Sequence, residues 1–182
     1  MTTIIGIQGP SWFVMAGDSR ITGDHMIYDS QSTPKVIKRG SYVIGISGDS
    51  APGDVLTYTW KPPVINLTDP IKHMGSVVIP SIRNAFSRHD VPIGSKKTEY
   101  RYLIGFNQTL FYVDYDLAFY QDALDIYTLG SGGELAKGFL LAKEPGIYKT
   151  PLAASRAAKS AIENVARIDF STFPPVTVVV QE

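Results

Sequence analysis

The chain has 182 residues in which seventeen basic and seventeen acidic side chains cancel, a length that one domain accommodates and a charge balance with no Lys/Arg block to attract nucleic acid or an anionic membrane. It contains no cysteine, which excludes a disulfide scaffold, a thiol nucleophile and a cysteine metal site and fits a reducing compartment. Its apolar stretches fall short of the roughly 20 residues that span a bilayer, and no basic segment followed by a long apolar run precedes a cleavage site, so the expected location is the cytoplasm.

The first fifty residues read as strands: 3–8 (TIIGIQ), 12–17 (WFVMAG), 35–39 (KVIKR) and 42–47 (YVIGIS) are β-branched or aromatic runs parted by turn residues, arranged as two hairpins. The segment between Asp18 and Pro34 is polar and long for a hairpin loop, a mark of function rather than packing. Helical patterning follows in DVLTYTW (54–60) and over 70–90, where Pro80 is expected to kink or interrupt the helix. Strands return at 100–107, 109–116 and 125–130, the first two joined by an Asn107-Gln108 turn. Residues 131–144 and the Ala-rich 150–169 have helical spacing, and VTVVV (176–180) closes the chain as a strand. Runs of strands followed by runs of helices, with antiparallel hairpins dominant, indicate an α+β fold and argue against a doubly wound parallel sheet.

The opening residues, MTTIIGIQG, carry a chemical possibility. A small residue after Met1 permits removal of that methionine, which leaves Thr2 with a hydroxyl and a free α-amine on one residue. A hydroxyl is a weak nucleophile until a base takes its proton, and an α-amine, with an ordinary pKa of about 7.7–8.0, serves as that base once a nearby cation depresses it. No histidine is needed; His25, His73 and His89 lack metal-ligand spacing and read as surface or structural. No cofactor is implied.

Further motifs follow in order: GDSRIT (17–22), PKVIKRG (34–40), GISGDSA (45–51), LGSGGELA (129–136) and RIDFST (167–172). This set, nearly end to end, resembles the proteasome β-subunit and the HslV-type peptidase of the N-terminal-nucleophile hydrolase superfamily. The resemblance implies a four-layer αββα sandwich over residues 1–182, two antiparallel sheets face to face with helices outside, and a threonine peptidase. In it Thr2 would be the nucleophile. Lys35 would point at Thr2 and lower its proton affinity, Asp18 would hold that lysine, and Arg20 would join the same polar layer. The Asp18–Lys35 loop is one residue longer than the commonest family spacing, which leaves Lys38 as a substitute in a slipped register. Gly48 would supply an oxyanion N–H. Asp49 stands where a second glycine is common, and either faces away as a helix cap, the favoured reading, or weakens the activity. Ser131 would lie beside the terminal amine and relay its proton, with Asp169 and Thr172, the latter in place of the commoner serine, orienting Ser131 and the nucleophile.

Each residue also has a plain reading: turn or cap for Asp18, an outward strand lysine for Lys35, a strand-to-helix turn for Gly48, an N-cap for Ser131 and a helix end for Asp169 and Thr172. The resemblance implies a specificity pocket lined near Ile21, Ile46 and Ser50, which would be neutral and moderately apolar. Family members form rings that enclose their sites and receive unfolded chains from an ATPase, so peptide or unfolded polypeptide substrates, a homo-oligomeric ring and an ATPase partner are expected. Trp60 and the aromatic segment 112–120 are candidate subunit contacts. The short segment before Thr2 is closer to the HslV type, whereas GDSRIT is closer to the proteasome, and the branch stays open. Two rivals remain: a small-amide hydrolase of the same superfamily, and a ring or scaffold subunit with a dead site, which a retained Met1 would favour.

Overall fold

The computed structural model describes residues 2–23, 27–29, 33–66, 69–143 and 148–182; Met1 and His25 lie outside the described residues. The expected strands form as β1 (Ile4–Gly9), β2 (Trp12–Gly17), β5 (Val36–Arg39), β6 (Tyr42–Gly48), β7 (Tyr100–Phe106), β8 (Thr109–Val113), β10 (Ile126–Leu129) and β11 (Thr177–Gln181). The segment after Asp18 is not all loop, because a short hairpin of β3 (Arg20–Thr22) and β4 (Ile27–Asp29) stands there. A further short strand, β9 (Phe119–Tyr120), pairs with β8.

The strands make two larger sheets, ordered β10-β1-β2-β11 and β5-β6-β7-β8-β9, with antiparallel pairing throughout. The turn between β7 and β8 has Asn107 and Gln108 at φ 48° and 56°, the left-handed pair that a two-residue hairpin of matching twist requires.

Alternation along the strands sorts the apolar side chains. Ile4, Phe13 and Met15 of the first sheet meet Val43, Leu103 and Leu110 of the second. Their neighbours Ile5, Val14 and Ala16 point the other way, onto α4 (Gly133–Leu141) and α5 (Pro151–Val165). Tyr42, Ile44, Tyr102 and Ile104 project from the far face of the second sheet onto residues 55–86. Glycine lets the two sheets close: a Cβ at Gly105 would overlap the Phe13 ring, and one at Gly45 would meet Ile4 and Met15. α5 starts where Thr150 Oγ1 accepts the Ala153 N–H at 3.2 Å with Pro151 in the first turn, and it buries Ala154, Ala158 and Ala161, whose small side chains bring its axis close to β2.

Two π-helical turns depart from the sequence expectation. The helix expected over 54–60 starts earlier and stops before Trp60, as α1 (Ser50–Asp54) continued by a π turn over Val55–Thr59. Residues 70–88 form α2 (Pro70–His73), a π turn over Met74–Val78 and α3 (Ile79–Arg88). Pro80 therefore does not break the helix, because it sits in the first turn of α3 and the widened turn ahead of it takes up the change in backbone pairing. Trp60 is not a surface residue: it is 1% exposed, edge-on to Tyr42 at 5.6 Å, with its indole N–H donating to Ser81 Oγ at 3.0 Å. Of segment 112–120, Val113 and Leu117 are buried and Tyr120 is exposed. Among the described residues no helix is long and apolar enough to cross a membrane.

His73 is wholly buried, its Nε2 2.8 Å from Tyr42 Oη and its ring edge-on to Phe106, and burial pushes its pKa below the ordinary value. His89 caps the end of α3 at the surface. Because the unfolded chain binds a proton at residue 73 that the folded chain resists, this histidine's contribution is intact above about pH 6.5 and erodes as pH falls below it. Urea unfolding between pH 8 and 5 is expected to show this erosion in the wild type, with a slope up to about 1.4 kcal/mol per pH unit from this group. His73→Gln should remove that part of the slope; an unchanged slope would show that His73 is not its source.

Candidate active site

The two sheets end together at one mouth. The β1–β2 ladder pairs Ile4 with Gly17, and it runs one step further because the Asp18 N–H donates to the Thr3 carbonyl at 3.1 Å while the Thr3 N–H donates to Asp18 Oδ1 at 2.9 Å. The register of β1 against β10 pairs Ile4 with Leu129, and two residues on it carries Ser131 toward Thr2. There the Gly132 N–H donates to the Thr2 carbonyl at 3.3 Å. Gly130, at φ 83°, lies so close that a Cβ would strike the Thr2 backbone. Thr2, 5% exposed, is thus held by the main chain of Gly130 and Gly132, and Thr3 beside it by Asp18, before β1 begins.

Lys35 comes from the other sheet. Its carbonyl accepts the Ile46 N–H at 2.8 Å, one step beyond the β5–β6 ladder, and its ammonium donates to Asp18 Oδ1 at 2.8 Å. Burial pushes the Lys35 pKa below the lysine range, and the Asp18 carboxylate opposes that shift. Lys38, by contrast, is exposed on β5 opposite Val43, so the slipped register is not adopted. Asp18 is 1% exposed and, among the described residues, serves four donors: Oδ1 takes Thr3 N–H and Lys35, and Oδ2 takes the Arg20 and Phe173 N–H groups at 3.1 and 3.3 Å. Arg20 also donates through its guanidinium to the Phe170 carbonyl at 2.6 Å and lies over the Phe173 ring at 4.1 Å.

One cavity is lined by Thr2, Lys35 and Gly48 together with Ile21, Ile46 and Ser50. Asp49 and Asp54 border it too, so the wall is more acidic than the three aligned residues suggest. Gly48 has φ 100°, and any Cβ there would overlap the Glu99 carbonyl. Asp49 occupies the N-cap position of α1 without capping it; its Oδ2 instead accepts the Glu99 N–H at 2.9 Å, which fixes the entry to β7 beside Gly48.

The last part is a cluster of hydroxyls around Asp169. Ser171 Oγ donates to Oδ1 at 2.6 Å, Thr172 Oγ1 donates to Oδ2 at 2.7 Å, and Ser131 Oγ lies 2.9 Å from Ser171 Oγ and 3.4 Å from Asp169 Oδ2. Thr172 Oγ1 is 2.6 Å from Thr3 Oγ1, which ties the cluster to the start of β1. Burial alone would raise the Asp169 pKa, but the hydrogen bonds from Ser171, Thr172 and Ser131 outweigh it and hold the carboxyl below its ordinary value. Two members of this cluster, Thr3 and Ser171, escape a reading of the sequence, although the doubled Thr2-Thr3 and the Ser171-Thr172 pair were the signals at hand. Among the described residues no group of three or more His, Asp or Glu side chains is placed to hold a metal ion.

No family model and no curated protein matches the chain. Solved structures do. Thiobacillus denitrificans BPH superposes with a TM-score of 0.78 at 18% identity, over 99% of this chain and 97% of that one, and a complex of the same protein with epoxomicin matches equally well. Eukaryotic HslV from Trypanosoma brucei gives 0.70 at 20% identity, over 99% of both chains. Anbu, the ancestral β-subunit, from Yersinia bercovieri gives 0.72 at 15% identity, over 98% of this chain and 80% of that one. The fold is HslV-like and proteasome-like, and the resemblance read from the motifs holds at the level of fold.

Removing one partner of a buried ion pair strands the other, at a cost of about 3–5 kcal/mol, whereas removing both costs less. Asp18→Ala is therefore expected to destabilise the protein by about that amount in urea unfolding. Adding Lys35→Met should restore a substantial part. Two additive single effects would show that the pair is not energetically coupled.

Proposed function

We propose that this chain is a threonine peptidase of the N-terminal-nucleophile class, acting through Thr2 once Met1 is removed. In this reading residues 1–182 form one domain, a four-layer sandwich with the paired sheets inside and helices outside. The observation that supports it most directly is the meeting of Thr2, Lys35 and Gly48 in one cavity, with Lys35 held by the carboxylate that also binds the Thr3 N–H.

The chemistry runs through Thr2 alone as nucleophile and base. Its Oγ1 attacks a peptide carbonyl carbon as the proton passes to its own α-amine, directly or through a water. The tetrahedral oxyanion takes a hydrogen bond from the Gly48 N–H and is stabilised by the Lys35 charge. Collapse breaks the C–N bond, the leaving amine takes the proton back, and an ester remains on Thr2 Oγ1. Water then adds to that ester, gives its proton to the α-amine and releases the acid, so the hydroxyl and amine are restored. Asp18 keeps Lys35 charged and in place, Arg20 braces the same layer, Asp169 organises Ser131 beside the amine, and Thr172 ties the same carboxylate to Thr3, the nucleophile's neighbour. Ile21, Ile46 and Ser50 receive the side chain before the cleaved bond. No cofactor enters any step.

The assignment extends to assembly and setting. Peptides or unfolded polypeptides are the substrates, copies of the chain form a closed ring in the cytoplasm, and an ATPase feeds it. A helical assembly of the Anbu complex from Pseudomonas aeruginosa, with a TM-score of 0.70 to this chain, is a related fold that oligomerises.

Intact-mass measurement after incubation with epoxomicin tests the core of this reading. The wild type should lack Met1 and gain one adduct, and Thr2→Ala should gain none while hydrolysis of a fluorogenic peptide falls at least about 1,000-fold. Protein with a free Thr2 that neither labels nor cleaves would transfer the assignment to the scaffold subunit. Turnover of small amides without peptides would transfer it to the amidohydrolase.

A further inference from the structure

Each hydroxyl in the Asp169 cluster owns a single proton, and this settles the direction of bonds whose donor a distance alone leaves open. Ser171 spends its proton on Asp169 Oδ1 at 2.6 Å. In the 2.9 Å contact between Ser131 and Ser171, Ser131 must therefore donate and Ser171 accept. The same count applies at the other oxygen: Thr172 donates to Oδ2 at 2.7 Å, so Thr3 donates in its 2.6 Å contact with Thr172. Both chains of hydroxyls point their protons at one carboxylate.

The consequence falls on Ser131. With its proton turned toward Ser171, its oxygen presents only lone pairs elsewhere, and the flanking Gly130 and Gly132 both abut Thr2. Without Ser171 its remaining tie to Asp169 is the 3.4 Å contact with Oδ2, too long to hold the rotor firmly. A hydroxyl free to rotate can donate to a neighbouring amine and occupy the lone pair that a base needs. Ser171 is itself held, since its N–H donates to Asp169 Oδ1 at 3.1 Å and its side chain is fully buried.

We infer that Ser171 is a positioning residue: as the link between Ser131 and Asp169, it makes Ser131 an obligate acceptor toward the Thr2 α-amine and keeps that amine's lone pair free for the Thr2 hydroxyl. This inference rests on the threonine-peptidase reading above. It assigns the orientation of Ser131 to a residue two places beyond Asp169, distinct from Thr172, whose hydroxyl serves Thr3.

Peptide hydrolysis by the Met1-free wild type, Ser171→Ala and Ser171→Thr, followed from pH 5 to 9, tests it. Ser171→Ala should lower kcat about tenfold with KM unchanged, and should move the acid limb of the pH profile down by about half a unit, because an amine that loses an acceptor for its protons binds them less tightly. Ser171→Thr keeps the hydroxyl and should restore both. An unchanged acid limb in Ser171→Ala, or no rescue by threonine, overturns the inference even if kcat falls. Neutron diffraction from wild-type crystals exchanged into heavy water gives a readout that needs no variant: the Ser131 deuteron should lie on the line to Ser171 Oγ, and a deuteron turned toward Thr2 overturns the inference. A wild type that is inactive with a free Thr2 refutes the peptidase reading instead, and the deuteron position still decides the hydroxyl's direction.

Discussion

One carboxylate organises the mouth of this molecule. Asp18 sits at the end of β2 with almost no exposure, and an ionised carboxylate there survives only if its lone pairs are filled by donors. It receives the Lys35 ammonium, the Thr3 N–H and two further backbone N–H groups. These donors come from the start of β1, the residue before β5, the hairpin after β2 and the loop before β11, so one buried charge brings four separate parts of the chain to one point. A buried ion pair alone contributes little net stability. Its value here is geometric, because it fixes a cation from one sheet against the first residues of the other.

The second carboxylate differs in its surroundings. Asp169 has hydroxyl donors in place of a cation, and these lower its pKa against the effect of burial. The two sites are joined through Thr3, whose N–H goes to Asp18 while its hydroxyl meets Thr172. A threonine at this position does what an aliphatic strand start could not do: its N–H bonds to Asp18 as the ladder begins, and its hydroxyl reaches Asp169 through Thr172. In the proposed enzyme this leaves Thr2 held through its own main chain and its neighbour's side chain, so the nucleophile's hydroxyl and amine need not be spent on holding it in place.

Several departures from expectation share one cause. Asp49 sits at a helix N-cap yet bonds to Glu99, because Gly48 turns the chain with positive φ and brings the start of β7 within reach. Trp60 is buried because the π turn over Val55–Thr59 points it at Tyr42 and Ser81. In each case the local signal points to a role that the fold does not adopt, because a neighbour distant in sequence redirects the side chain.

The sequence by itself determined the eight longer strands, though not the short β3, β4 and β9, because alternating β-branched and aromatic runs between turn residues have one regular way to bury both faces. It determined the Asn107-Gln108 turn as well, and through the ordered motifs it named Thr2, Asp18, Lys35, Gly48, Ser131, Asp169 and Thr172. Only the tertiary structure chose Lys35 over Lys38, since period-two alternation fixes which lysine faces inward only once register is set across β5 and β6. Only it revealed Thr3 and Ser171 in the site, since serine and threonine are common near helix ends and strand starts and acquire direction only when a carboxylate is folded against them. Strand periodicity is written in nearest neighbours; the aim of a hydroxyl proton depends on partners up to 169 residues away.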